Sequence, residues 1–175
     1  MNEGDQPERM TGAMTSAARF KLGMRTLVGS VNVVALQGHD GRLLGVTATA
    51  VCSLSADPPS LVVCINRSST IAPALEIGKT FSVSVLSQHQ QNVADAFGGR
   101  KGLAGRNRFV HGEWYRSEED VPLLADARAC LECRVESFMD YGTHRVTIAA
   151  VADVHLGDIG DASLIFADGA YHMVG

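Results

Sequence analysis

Three stretches of the 175-residue chain carry side chains that could do chemistry. The first is Gly45-Val46-Thr47-Ala48-Thr49-Ala50-Val51-Cys52-Ser53-Leu54-Ser55, which alternates strictly and whose polar positions are small hydroxyls. In an extended strand Val46, Ala48, Ala50, Cys52 and Leu54 share one face, the core face, while Thr47, Thr49, Val51, Ser53 and Ser55 share the other. That second face repeats about every 6.7 Å with little bulk between its hydroxyls, so a planar ligand can approach the backbone and meet groups that both donate and accept. Threonine also favours strands that face solvent, and spacing alone leaves both readings open.

The second stretch, Asn66-Arg67-Ser68-Ser69-Thr70, joins an apolar strand to a helix start. Free backbone N–H groups, hydroxyls and one guanidinium converge there, a combination that suits a phosphate. Helix capping by Ser69 or Thr70 accounts for those two residues but not for Asn66 and Arg67. The third is His144, which shares parity with Val146, Ile148 and Ala150 and lies at the end of an apolar strand face beside a turn. Taken singly, a histidine so placed is more often structural than catalytic. The other five histidines show no triad or ligand spacing.

Other motifs lead nowhere. Gly78-Lys79-Thr80 ends like a phosphate-binding P-loop, but Pro73 stands where the earlier glycine belongs and a strand follows instead of a helix. The glycines after Phe97 follow a helix, so the dinucleotide fingerprint is missing. Neither a Gly-x-Ser-x-Gly elbow nor a His-Glu-x-x-His helix occurs. Cys130 and Cys133 form a CxxC without a second ligand pair, and a strand would turn the two thiols to opposite faces, so buried thiols are expected and no metal.

Positioning these groups falls to a chain that is 46% hydrophobic and 19% charged, enough for a single core. Its formal charge of -4 offers no basic field, so nucleic acid and anionic membranes are not expected partners. The polar N-terminus lacks a signal-peptide core, and no segment reaches the ~18 apolar residues of a membrane span, which predicts a cytoplasmic protein.

Residues 1–14 read as a disordered tail and 15–175 as one domain. Ser16 to Met24 suits a short helix. Val28 to Gln37 and Arg42 to Ser55 form a hairpin about Gly38-His39-Asp40-Gly41, and Asp57-Pro58-Pro59 ends it. Ser60 to Ile65, apolar on both parities, reads as a buried central strand. A short helical stretch with Pro73 in its first turn follows. Thr80 to Leu86 is a strand and Gln88 to Phe97 a helix, and the glycine-rich Gly98 to Asn107 is a mobile loop. Leu131 to Phe138 and His144 to His155 flank a turn over 139–143, and Ser163 to Ala167 adds a last strand. Many strands, few short helices and no βαβ rhythm predict a mainly β, closed or partly closed antiparallel barrel.

The run GVTATAVCSLSADPPSLVVCINRSS, together with Tyr141-Gly142-Thr143-His144 and the ending Leu164-Ile165-Phe166-Ala167-Asp168-Gly169-Ala170-Tyr171, resembles the short-chain flavin reductases. These are the small components of two-component flavin-dependent monooxygenases, and the 4-hydroxyphenylacetate 3-monooxygenase reductase components are the nearest branch. The likeness extends from about Phe20 to Tyr171. It implies an FMN-binding split β-barrel of Greek-key type, a homodimer, and reduction of FMN or FAD by NADH or NADPH, with reduced flavin leaving for a separate monooxygenase. By the same resemblance Thr47 to Ser53 lies along the flavin ring and ribityl chain, with Thr47, Ala48, Thr49, Ala50, Val51 and Ser53 as contacts. Asn66, Arg67, Ser68, Ser69 and Thr70 take the phosphate side. His144, with Gly142 and Thr143, lies near the nicotinamide, the segment Phe97 to Arg108 closes over the flavin, and Tyr171 supplies an aromatic. Two rival readings remain: a reductase of the same barrel acting on another acceptor such as a corrinoid, and a non-catalytic flavin-binding module.

Overall fold

The computed structural model describes residues 15–99, 102–103 and 105–175. The tail expected over 1–14, and Arg100, Lys101 and Ala104 of the glycine-rich loop, lie outside the described residues. Helix α1 (Ser16–Arg25) starts at Thr15, whose hydroxyl accepts from the Ala18 N–H at 3.3 Å. Strands β1 (Gly29–Ser30) and β2 (Asn32–Gln37) follow, and Gly41, at φ 75°, helps reverse the chain into β3 (Leu43–Ala48). Thr49 and Ala50 separate β3 from β4 (Val51–Ala56), which turns over Asp57-Pro58 into β5 (Pro59–Asn66).

One 3-10 turn, Ala72–Ala74, leads to β6 (Thr80–Val85). Gln88–Gln90, fixed by a Ser87/Gln90 capping box, then opens α2 (Gln91–Phe97). Strands β7 (Trp114–Arg116), β8 (Pro122–Leu124), β9 (Ala129–Tyr141), β10 (His144–Leu156), β11 (Ser163–Ala167) and β12 (Ala170–Val174) complete the chain.

Seven strands form one antiparallel sheet in the order β3-β2-β6-β9-β10-β5-β4. Its two outermost strands are consecutive in the chain, so the sheet curls into a split barrel whose seam is bridged covalently by Thr49 and Ala50. The stretch that reads as one alternating strand is therefore two, each paired on a different side: β3 with β2, and β4 with β5.

Apolar residues gather on both faces of the central strands. Val34, Leu36, Phe81 and Val83 meet Val63, Ile65 and Cys133 inside the barrel. Val33, Ala35 and Cys130 face outward, under α2 and β8, with Val93, Phe97 and Leu123. Burial on both parities thus belongs to β2, not to β5, where Leu61, Val63 and Ile65 are buried but Val62 and Cys64 only half-buried. The two CxxC thiols lie in different clusters, as an odd spacing along a strand requires, and burial raises the pKa of each, Cys133 to about 12.

Three further expectations change. The β9–β10 hairpin turns on two residues, Gly142 and Thr143, because both strands run longer than their apolar stretches. Pro73 sits in a single 3-10 turn rather than a helix. Strands β7, β8 and β12 were not expected, the first two being only three residues long.

Candidate functional site

The bend at Thr49-Ala50 governs what the hydroxyl stretch presents. Ala48 is buried, but beyond the bend Val51, not Ala50, packs against the core, so the parity reverses. The single hydroxyl face does not exist. The Thr47 hydroxyl donates to the Ala94 carbonyl of α2 at 2.7 Å, and Ser55 shares hydrogen bonds with Asp57 in the next turn. Thr49 and Ser53 are exposed, as are Cys52 and Leu54 of the expected core face.

What the bend offers instead is backbone. The Ala50 carbonyl accepts from Cys64 N–H at 2.9 Å, while the N–H groups of Thr49 and Ala50 and the Thr49 hydroxyl reach no acceptor among the described residues. Buried Asn32 fixes this geometry, its side-chain amide donating to the carbonyls of Ser30 and Ala48 and to the Ser30 hydroxyl. Thr49 and Ala50 line a cavity of about 580 Å³ together with Phe20, Met24 and Phe166.

Two strand positions past Cys64 lies Asn66, the residue paired with His144. The Asn66–Thr70 loop and the Gly142-Thr143-His144 turn, remote in sequence, therefore meet at the same end of the barrel as the bend. Arg67 N–H donates to the Thr143 carbonyl at 2.9 Å, and its guanidinium reaches the Gly142 carbonyl and Asp140. Within the loop, Asn66 Oδ1 accepts from the Ser68 N–H and hydroxyl, and the Asn66 carbonyl accepts from the N–H and hydroxyl of Ser69. Its donors are mostly spent on itself. Thr70 and Nη2 of Arg67 remain unengaged among the described residues.

His144 is exposed, with Nδ1 2.9 Å from the Thr143 hydroxyl. Behind it Arg145 holds Asp140 through two hydrogen bonds, donates to the carbonyls of Ala72 and Leu75, and lies 4.0 Å over the Phe138 ring. These bonds, then the charges of Arg145 and Arg67, hold the Asp140 carboxyl below its ordinary value. Arg145 and Asp140 thus brace the loop against the turn, a role that sequence spacing did not reveal.

Phe97, expected over the ligand, is 1% exposed: it packs edge-on against Phe109 at 4.9 Å and fills the space left by Gly45, where a Cβ would stand 2.5 Å from its ring. Arg108 bridges the carbonyls of Leu103 and Gly45 at 3.0 Å each, tying the loop to β3. Half-buried Tyr171 packs against Phe166, itself on the cavity wall. Helix α1 was missed as a site element, although its Phe20/Met24 and Lys21/Arg25 spacings were legible as one face.

Histidine spacing also misled at β10. Asp153 pairs with Glu132 and His155 with Cys130, which brings His155 Nε2 within 2.6 Å of Glu132 and 3.5 Å of Asp153. The nearest of these contacts satisfies the buried Glu132 carboxylate.

A model of the flavin reductase like domain family matches residues 24–175. The FMN reductase (NADH) RutF of Pseudomonas syringae pv. syringae is 34% identical over 161 residues, covering 92% of this chain and 89% of the relative. The 4-hydroxyphenylacetate 3-monooxygenase reductase component of Salmonella typhimurium is 36% identical over 156 residues, covering 89% and 91%. Among solved structures, a flavin reductase domain protein from Arthrobacter sp. FB24 matches with a TM-score of 0.81 at 27% identity, over 91% of this chain and 96% of its own. No helix among the described residues is long and apolar enough to cross a membrane.

Proposed function

The chain belongs to the flavin reductase like domain family and is an NAD(P)H-dependent flavin reductase; we propose that it passes a hydride from NADH to FMN or FAD and releases the reduced flavin to a separate monooxygenase. The observation that carries this reading is the bend: consecutive open N–H donors and one free hydroxyl, on the wall of a cavity and beside the loop and turn that carry Asn66 and His144. A flat ring with an edge of carbonyl and nitrogen acceptors fits such a wall.

The N–H groups of Thr49 and Ala50, with the Thr49 hydroxyl, bind the flavin's polar edge and favour the negative charge it gains on reduction. Thr70 and Nη2 of Arg67, the groups of the loop left unengaged among the described residues, face its phosphate. Bound flavin supplies the two-electron acceptor for the nicotinamide hydride, so that NADH, flavin and one proton give NAD⁺ and reduced flavin. His144, held by Thr143 at the lip, orients the nicotinamide. Ala48 and Val51 act by fixing the bend, and Thr47, Phe97 and Arg108 by supporting β3 from behind.

Arg145, next to His144 in the chain, is engaged by Asp140 and by the carbonyls of Ala72 and Leu75, which favours NADH over its 2′-phosphorylated form. Outward-facing Cys52, Val62, Cys64, Val146 and Ile148 form an apolar row across β4, β5 and β10, suited to a second copy in a homodimer.

Turnover with NADH and NADPH, each crossed with FMN, FAD and riboflavin, tests the reading: NADH oxidation by free flavin is expected, and no oxidation with any pair defeats it. The His144→Ala variant should raise the KM for pyridine nucleotide more than that for flavin, and unchanged kinetics would remove His144 from the site.

A further inference from the structure

Helix α1 turns two side-chain rows toward the cavity below Thr49: Phe20 with Met24 and, one residue on, Lys21 with Arg25. An i, i+4 spacing stacks each pair on one face, so the two cations stand together at the rim. Neither meets a carboxylate within 4 Å among the described residues, whereas Arg42, Arg67, Arg116 and Arg145 all do. The helix is anchored to the barrel by backbone, the Asp168 N–H donating to the Arg25 carbonyl at 2.8 Å. The Arg25 guanidinium lies over Gly169, 3.9 Å from where a Cβ would stand. Two solvated lysines on an open helix face would mean little. Here the same cavity is lined by Phe20, Leu27, Val28 and Phe166 as well as by Thr49 and Ala50, and apolar lining concentrates the field of the cations into the space they enclose.

Resting on the flavin reductase reading, the reaction joins two cofactors that both carry phosphate, while the Asn66–Thr70 loop keeps few donors for anions. We propose that Lys21 and Arg25 form a second anion subsite, taking a phosphate group of one of the two cofactors at the α1 side of the cavity. Charge-assisted hydrogen bonds from both cations hold it.

The test compares wild type with Lys21→Gln/Arg25→Gln, both exposed positions where glutamine preserves the helix. Flavin fluorescence quenching gives Kd for FMN, FAD and riboflavin, and calorimetry gives Kd for NAD⁺ and ADP-ribose. Weakening of NAD⁺ and ADP-ribose by about tenfold, with FMN unmoved, assigns the subsite to the pyridine nucleotide. Weakening of FMN and FAD but not riboflavin assigns it to the flavin. Lys21→Arg should bind as wild type does in either case. The proposal is overturned if the double variant binds every ligand normally, or if riboflavin weakens as much as FMN. Wild-type turnover of NADH with free flavin, measured alongside, keeps that failure separate from failure of the flavin reductase reading itself.

Discussion

The bend at residues 49–50 and the loop at 66–69 lie at the same end of the barrel and carry similar small polar residues, yet they treat hydrogen bonding in opposite ways. In the loop, the amides of Arg67, Ser68 and Ser69 all donate within the chain, and so do both serine hydroxyls. At the bend, two adjacent amides and a hydroxyl donate to nothing in the described chain. A polar segment that satisfies itself holds shape, whereas one held open by its neighbours can receive a ligand. Asn32, Thr47 and Arg108 do the holding here, each bonded to β3 or to its flank.

The contrast breaks most forcefully at Gly45. The Gly45→Val variant would drive Phe97 out of its packing and loosen the carbonyl that Arg108 grips, lowering unfolding free energy by about 3 kcal/mol in urea titrations. Asn66→Ala removes the acceptor of two hydrogen bonds, and a stability loss of about 1 kcal/mol is expected with little change in flavin KM. Asn66→Asp should restore it. Thr49→Val is the mirror case: stability within about 0.5 kcal/mol of wild type, but flavin KM raised about fivefold. If Thr49→Val destabilises while Asn66→Ala spares the fold, the assignment of roles is reversed.

The smallest effect concerns acid. Asp140 is depressed below its reference value of 3.8, mainly by hydrogen bonds from Arg145. A depressed carboxyl contributes stability above its unfolded pKa and loses it as pH falls through the lower, folded value. Acid titration followed by circular dichroism should therefore show Asp140→Asn converging on wild type below pH 3.8 and less stable above it.

Much of this architecture was legible. The hairpins announced themselves through turn residues, and the opposed thiols of Cys130 and Cys133 followed from the strand period. The bend was not legible, because Thr49-Ala50 contains neither glycine nor proline, and the change of partner from β2 to β5 arises only when the sheet curls. Nor did local sequence reveal that Phe97 points inward, although Val93, Ala94 and Phe97 share helical spacing and Gly45 makes the room. The role of Asn66 was half visible: an asparagine two residues before a serine suits a self-bonded turn as well as an anion cradle. Lys21 and Arg25 carry no local signal, because a cation on a short polar helix is ordinary unless a cavity lies beneath it.

A single length of chain, residues 43–56, supplies both lips of the barrel's seam. The open amides at its midpoint take their direction from two separate ladders, β3 on β2 and β4 on β5, so a barrel parted along this seam would no longer present them side by side.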